Sequence, residues 1–384
     1  MNRRDFLAAT ATAPLLGSLP LFANNNSSTA VDSLLVHTTT PMNAEPHLAN
    51  LVKSDITPVS QFYIRSHAPN PKIDPAAFRL KVEGLVEREL SISLSELAND
   101  YSSVRVTATL TCAGNRRYEH SKVSPVKGVP WREGAIGNAV WSGVPLAAIL
   151  KKAGVKQEAK HVWFEGLDEI EKGGGIIPFG ASIPIPKAMD SSEKMPGAMV
   201  VTQMNNKPLT PDHGFPVRTV VPGYIGARSV KWLGKIVVSD KPSTNHYVAT
   251  AYKIVERADA MEWAEKAPIY RFVLNSVICT PVADQRVEPG NLTVRGYALP
   301  HGESGRTVKS VEVSADGGRS WSRAKLGSTS AYCWCLWEAN VSVSPGTNGL
   351  LVRATDSAGK TQPQHVDWNK KGYLFNAWHH VPVK

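Results

Sequence analysis

The sequence predicts two successive units, an α+β domain over residues 46–266 and an all-β sandwich over residues 267–384. Three observations carry this reading. A chain of 384 residues is longer than one core usually fills. Up to about residue 258, strand-like alternation mixes with short helical runs. After Lys266-Ala267-Pro268 only short strand patterns follow, at nearly even spacing.

The opening, MNRRDFLAATATAPLLGSLPLFA, reads as a targeting segment. Arg3 and Arg4 supply the charged start, Phe6 to Leu21 a mildly apolar stretch, and Ala23 a small residue for cleavage. Pro14, Gly17 and Pro20 interrupt a run already short for a membrane span, so no stable membrane insertion is expected. Paired arginines before Asp5-Phe6-Leu7 resemble a twin-arginine signal, read by a translocase that moves folded proteins. Residues 1–23 are thus expected to be a signal peptide and the mature protein periplasmic; an ordinary secretory signal is the alternative. Residues 24–45 are polar and expected to form an irregular arm.

In the first domain, Phe78 to Val82 and Val104 to Leu110 alternate as strands do, whereas Leu94 to Ala98 and Leu146 to Ala153 read as short helices. Gly154 supplies the stop for the second. Gly173-Gly174-Gly175 is expected to be too flexible for the interior of an element. In the second domain, strand patterns run Val273 to Val277, Leu292 to Ala298, Val308 to Ser314, Ser320 to Lys325, Tyr332 to Trp337 and Gly349 to Ala354. Asp316-Gly317-Gly318 marks a hairpin, because glycine supplies positive φ. Six or seven short strands in this length predict an immunoglobulin-like sandwich.

The formal net charge is +10, which suits anionic ligands. Without a Lys/Arg run, zinc-finger spacing or RNP-like aromatic motif, nucleic acid is not the expected partner. The four cysteines do not form a metal-binding CxxC pattern. Cys333 and Cys335 share a strand face too widely spaced for an easy bridge, while Cys279 with one of them stays open.

The chemistry gathers in two stretches. Thr111-Cys112-Ala113-Gly114-Asn115-Arg116-Arg117 follows an apolar strand. A lone cysteine at a strand end is usually plain core, but here small residues open space beside the sulfur and two arginines follow. A thiolate in such a positive setting is a natural ligand for a high-valent metal. The second stretch runs from Asp212-His213-Gly214-Phe215-Pro216-Val217-Arg218 to Gly226-Ala227-Arg228-Ser229-Val230-Lys231-Trp232. Basic residues on Gly-rich loops with free amides suit a phosphate-bearing cofactor.

TCAGNRR, HVWFEGLD, FGASIP, DHGFPVR and GARSVKWLGKI, in this order, resemble the sulfite oxidase family of molybdopterin enzymes over nearly the whole mature chain. The resemblance implies an α+β molybdopterin-binding domain of the sulfite oxidase type, an immunoglobulin-like dimerisation domain and a homodimer. It implies Cys112 as the thiolate ligand of molybdenum. Tyr63, Ile64, Arg65, Ser66, His67, Asp168, His213, Arg218, Ser229, Val230 and Lys231 match cofactor contacts. Arg65, Arg117, Trp131 and Tyr252 match the pocket for sulfite, with Tyr252 as a hydrogen-bond donor. The implied reaction is oxidation of sulfite to sulfate.

The sequence departs from the family's pattern at Lys371. It stands where animal sulfite oxidases place an arginine in the oxyanion pocket; lysine keeps the charge and loses the bidentate fork. No counterpart of the animal cytochrome b5-type haem domain and no CxxCH motif is found in the sequence, so molybdenum and molybdopterin without haem are expected. Electrons are then expected to reach an external acceptor, cytochrome c or, as in plant members, oxygen. Sulfoxide or nitrate reduction, or a non-catalytic exported protein keeping the fold, are the alternative readings.

Overall fold

The computed structural model describes residues 34–384 apart from residues 193, 194, 196 and 258, so the expected signal peptide and residues 24–33 of the expected arm lie outside the described residues. Val104–Thr111 pairs antiparallel with Ile136–Pro145, which pairs with Met199–Met204; Lys207–Pro208 and Arg218–Val220 complete a five-stranded sheet. Alternate residues of a strand share a face. Val106, Ala108 and Leu110 therefore enter one core with Trp141, and Cys112, two positions on, follows them into it.

A second five-stranded sheet runs Gly180–Pro184, His161–Gly166, Leu233–Ser239, Leu80–Gly84 and Leu90–Ile92, with its only parallel pairing between Leu233–Ser239 and Leu80–Gly84. Helix Leu146–Ala153 presents Leu146, Ile149, Leu150 and Ala153, one helical face, to its core. Gly154 ends this helix at φ 75°, its amide returning to the Leu150 carbonyl. Helix Leu94–Asn99 begins in a reciprocal capping box between Ser93 and Glu96.

The C-terminal part holds two four-stranded sheets around one core. One runs Asn275–Thr280, Gly290–Leu299, Cys335–Val343 and Lys325–Leu326; the other Ser322–Arg323, Val308–Ser314, Gly349–Asp356 and His379–Pro382. Gly349–Asp356 alternates half-buried and buried residues throughout. All four cysteines are buried and free, which closes the Cys279 bridge left open by the sequence. Among the described residues no helix is long and apolar enough to cross a membrane.

Several expectations are corrected. Residues 34–45 are not irregular: Leu34–Thr39 and Met42–Pro46 form a hairpin joined by Ile64–Arg65. Its polar composition hid it, because the Glu45 carboxylate is buried and accepts from the Arg132 and Gly134 amides at 2.8 Å. The glycine run stays out of element interiors as expected: Gly173 and Gly174, at φ 60° and 80°, form the turn between Ile170–Lys172 and Gly175–Ile177, and Gly175 stands at the strand's first position. The run Ser320 to Lys325 splits into two-residue strands on different sheets, and Tyr332 to Trp337 starts its strand only at Cys335.

The two parts meet through buried polar contacts beside Cys112. Arg116, fully buried at φ 67°, donates to the Asn275 side chain and the Ala377 carbonyl at 2.8 Å each and pairs with Glu119. Asn115 donates to the Tyr297 hydroxyl, which donates onward to the Glu133 carbonyl.

Candidate active site

Cys112 is placed by the strand that precedes it and by the loop that follows. Its amide donates to the Ala135 carbonyl at 2.9 Å, and its Sγ lies 3.4 Å from the Gly114 amide. A Cβ at Gly114 would come within 2.6 Å of the Arg117 guanidinium, so a larger residue there would displace that side chain. Next to the sulfur opens a cleft enclosing about 680 Å³, its mouth included.

Tyr63, Arg65, Ser66, His67, Cys112, Asp168, His213, Arg218, Ser229, Lys231 and Tyr252 all line this cleft. Its far end is cationic. Lys231 donates to the Ser66 hydroxyl at 2.8 Å and the Asp212 carbonyl at 2.9 Å, and Arg218 to the His213 and Ser229 carbonyls. Burial, then Arg218, pushes the Lys231 ammonium down to about 7, with Asp212 and Asp168 offsetting only part. Burial likewise lowers Arg218 to about 10 and, with Lys231 and Arg218, lowers His213 to about 4. Asp168 accepts from the Phe179 amide at 3.0 Å, and burial raises its carboxyl.

Nearer the sulfur, Arg65, His67 and Tyr252 form a chain. Arg65 lies 2.6 Å from His67 Nε2 and bonds the Ser66 carbonyl and, at 3.1 Å, Asn43. A guanidinium only donates, so Nε2 is an acceptor, and the Tyr252 hydroxyl at 3.3 Å donates to it. Burial, then Arg65, holds the His67 imidazolium well below the usual range, so the ring is neutral. Burial raises the Tyr252 phenol against the pull of Arg65.

The structure separates the other expected residues from this cleft. Ile64 is buried with Leu34 and Ala44, and Val230 lies in the large N-terminal core, its amide on Thr219 Oγ1. Trp131 is fully buried against Tyr63 and His37, and its indole N–H has no hydrogen-bond partner among the described residues. Arg117 is buried beside the cleft, donating to the Lys371 and Val129 carbonyls at 2.9 Å. Lys371 is half-buried, its ammonium over the Trp263 ring. Phe179 and Tyr247 were missed in the sequence, yet they clasp His67 with ring centroids at 4.8 and 4.5 Å. Asp212 stood inside a motif whose basic residues drew attention first.

A buried thiol at one end of a cleft and uncompensated buried cations at the other fit a metal held by sulfur and an anionic pterin tail. The comparisons define the same class: residues 67–247 match the oxidoreductase molybdopterin binding domain, and residues 266–384 the Mo-co oxidoreductase dimerisation domain. The protein is a molybdenum oxidoreductase.

The chain belongs to the sulfite oxidase family. Sulfite oxidase of Gallus gallus is 41% identical over 360 residues, covering 90% of this chain and 77% of that protein. Sulfite oxidase of Arabidopsis thaliana is 37% identical over 378 residues, 92% and 94% of the two chains. The NADH nitrate reductase of Solanum lycopersicum is 38% identical over 89% of this chain but 40% of its own. The sulfane dehydrogenase SoxCD from Paracoccus pantotrophus shares the fold, with a TM-score of 0.77 at 24% identity over 94% of this chain and 90% of that one.

Proposed function

We propose that this chain oxidises sulfite to sulfate, with water supplying the oxygen and two protons and two electrons released. The observation that carries this reading is the chain Arg65–His67–Tyr252 lining the same cleft as Cys112. Cys112 would hold the metal, Asp168 and His213 would meet the pterin, and Ser66, Arg218 and Lys231 would take its phosphate. When bound, the cofactor supplies a molybdenum centre able to take two electrons from a small oxyanion. Arg65 and Arg117 attract and orient the anion. The Tyr252 hydroxyl, held in the cleft by neutral His67, is the hydrogen-bond donor of the site.

The C-terminal domain is read as an immunoglobulin-like sandwich that pairs two copies of the chain. Electrons leave for an external acceptor, cytochrome c, and the net charge of +10 favours an acidic partner face. Arg3, Arg4 and Asp5-Phe6-Leu7 support export to the periplasm in folded form. Normal periplasmic activity of an Arg3→Lys, Arg4→Lys variant would contradict that route.

Purified protein containing molybdenum is expected to reduce cytochrome c when sulfite is added. Absence of sulfite turnover together with viologen-dependent reduction of nitrate would replace this reading by the reaction named for the nitrate reductase relative.

A further inference from the structure

The C-terminal segment Asn369–Leu374 crosses the domain boundary and touches three parts of the site. The Lys371 carbonyl accepts from Arg117 Nε at 2.9 Å, and the Leu374 amide donates to the carbonyl of Ala113, the residue after Cys112, at 2.8 Å. Between them stands Tyr373, 8% exposed. Its ring stacks on Tyr252 with centroids 5.3 Å apart and planes 16° from parallel. The Arg117 guanidinium lies over the Tyr373 ring at 5.2 Å from its centroid.

Tyr252 needs such support. It sits at φ 56°, a left-handed conformation that a bulky residue keeps only where its surroundings impose it. From the other side, the Tyr252 carbonyl accepts from the Ile269 amide at 2.8 Å. Tyr373 is itself clamped: the Asn369 side chain accepts from its amide at 3.0 Å and donates to its carbonyl at 2.9 Å. Gly372, at φ 59°, makes the turn possible, since a Cβ there would meet Arg117 Cγ at 2.7 Å.

We propose that Tyr373 is a positioning residue for the reaction, its ring holding the strained Tyr252 so that the Tyr252 hydroxyl stays on His67 in the cleft. Stacking fixes the plane of the Tyr252 phenol, and the Arg117 charge over the second ring fixes Tyr373 in turn. This rests on the reading of Tyr252 as the hydrogen-bond donor of the substrate site.

The test compares Tyr373→Leu and Tyr373→Phe with Tyr252→Phe and the double variant Tyr252→Phe with Tyr373→Leu, all as molybdenum-loaded enzyme. Tyr373→Leu removes the stack and is expected to lower kcat about tenfold with KM for sulfite changed less than about threefold, because Arg117 keeps its two carbonyl anchors. Tyr373→Phe keeps the stack and is expected to retain kcat within about threefold. In the double variant, adding Tyr373→Leu to Tyr252→Phe should cost less than about twofold more, since both act through one hydroxyl. Hydrogen exchange of the Tyr252 amide is expected to speed up at least about tenfold in Tyr373→Leu holoenzyme and not in a Lys371→Ala control. Multiplicative losses in the double variant, or native kcat in Tyr373→Leu, would overturn the proposal alone. A loss beyond about tenfold in Tyr373→Phe would do the same, and does not depend on Tyr373→Leu folding. Native kcat in Tyr252→Phe would overturn the underlying reading and the proposal with it.

Discussion

Lys371 illustrates how a single residue can match a motif and still be displaced in space. Its carbonyl holds Arg117, but its ammonium rests over Trp263, half-buried among the like charges of Lys172, Arg117, Lys127 and Lys370. Burial, then these cations, lowers its pKa, and solvent at the rim screens what it contributes to an anion in the cleft. Lys371→Ala is therefore expected to raise KM for sulfite only about two- to fivefold at low ionic strength, corresponding to the ~0.4–1 kcal/mol of a screened ion pair, and less in high salt. Steady-state kinetics across a salt series checks this. A rise of a hundredfold that persists in high salt would place the ammonium on the substrate. The cofactor-facing residues were far more legible, because Cys112, Arg218 and Lys231 sit among residue types that suggest their chemistry, and Ser66 in a run that resembles the family's. Tyr373 was not, since a tyrosine in an apolar run gives no sign of the ring it will stack on.

At the scale of elements, the loop after Cys112 is tied to the second domain by a buried acid. His379 Nδ1 accepts from the Ile278 amide, so its Nε2 carries the proton donated to Glu133 at 3.1 Å, and Tyr118 donates to the same carboxylate at 2.5 Å. Burial opposes the Glu133 charge, but the His379 and Tyr118 bonds and the Arg116 charge win and hold its carboxyl down to about 2. A depressed carboxyl stabilises the fold fully above its unfolded value of 4.5 and loses that contribution as pH falls through about 2. The contribution is on the order of 3 kcal/mol. Glu133→Gln should therefore be less stable at neutral pH and show a shallower loss of stability between about 4.5 and 2, followed by urea denaturation at stepped pH. An acid limb unchanged by the substitution would contradict this. Nothing in the sequence paired Glu133 with His379, because a contact spanning 246 positions leaves no local periodicity. Strands such as Val308–Ser314 were legible to the residue, because alternation is a local signal; the hairpin at Leu34–Pro46 was not, because its buried Glu45 carboxylate is satisfied in part by the distant Arg132 and Gly134 amides.

Over the whole molecule, the N-terminal sheets build the cleft, and the C-terminal part reaches back through Asn275, Tyr297 and Tyr373 to brace the walls around Cys112. A shared apolar core containing Ala113, Tyr252, Tyr297 and Tyr373 joins the halves. The order of domains was readable from the change in pattern after Pro268, whereas this bracing was not, since it depends on how two separately patterned halves dock. We propose that this assembly holds a metal on one sulfur, that of Cys112. X-ray absorption at the molybdenum edge, on native enzyme and on Cys112→Ser purified with its pterin, measures the sulfur neighbours of the metal. One fewer sulfur at molybdenum in the variant, with sulfite oxidation lost, is expected. An unchanged sulfur shell would remove Cys112 from the metal.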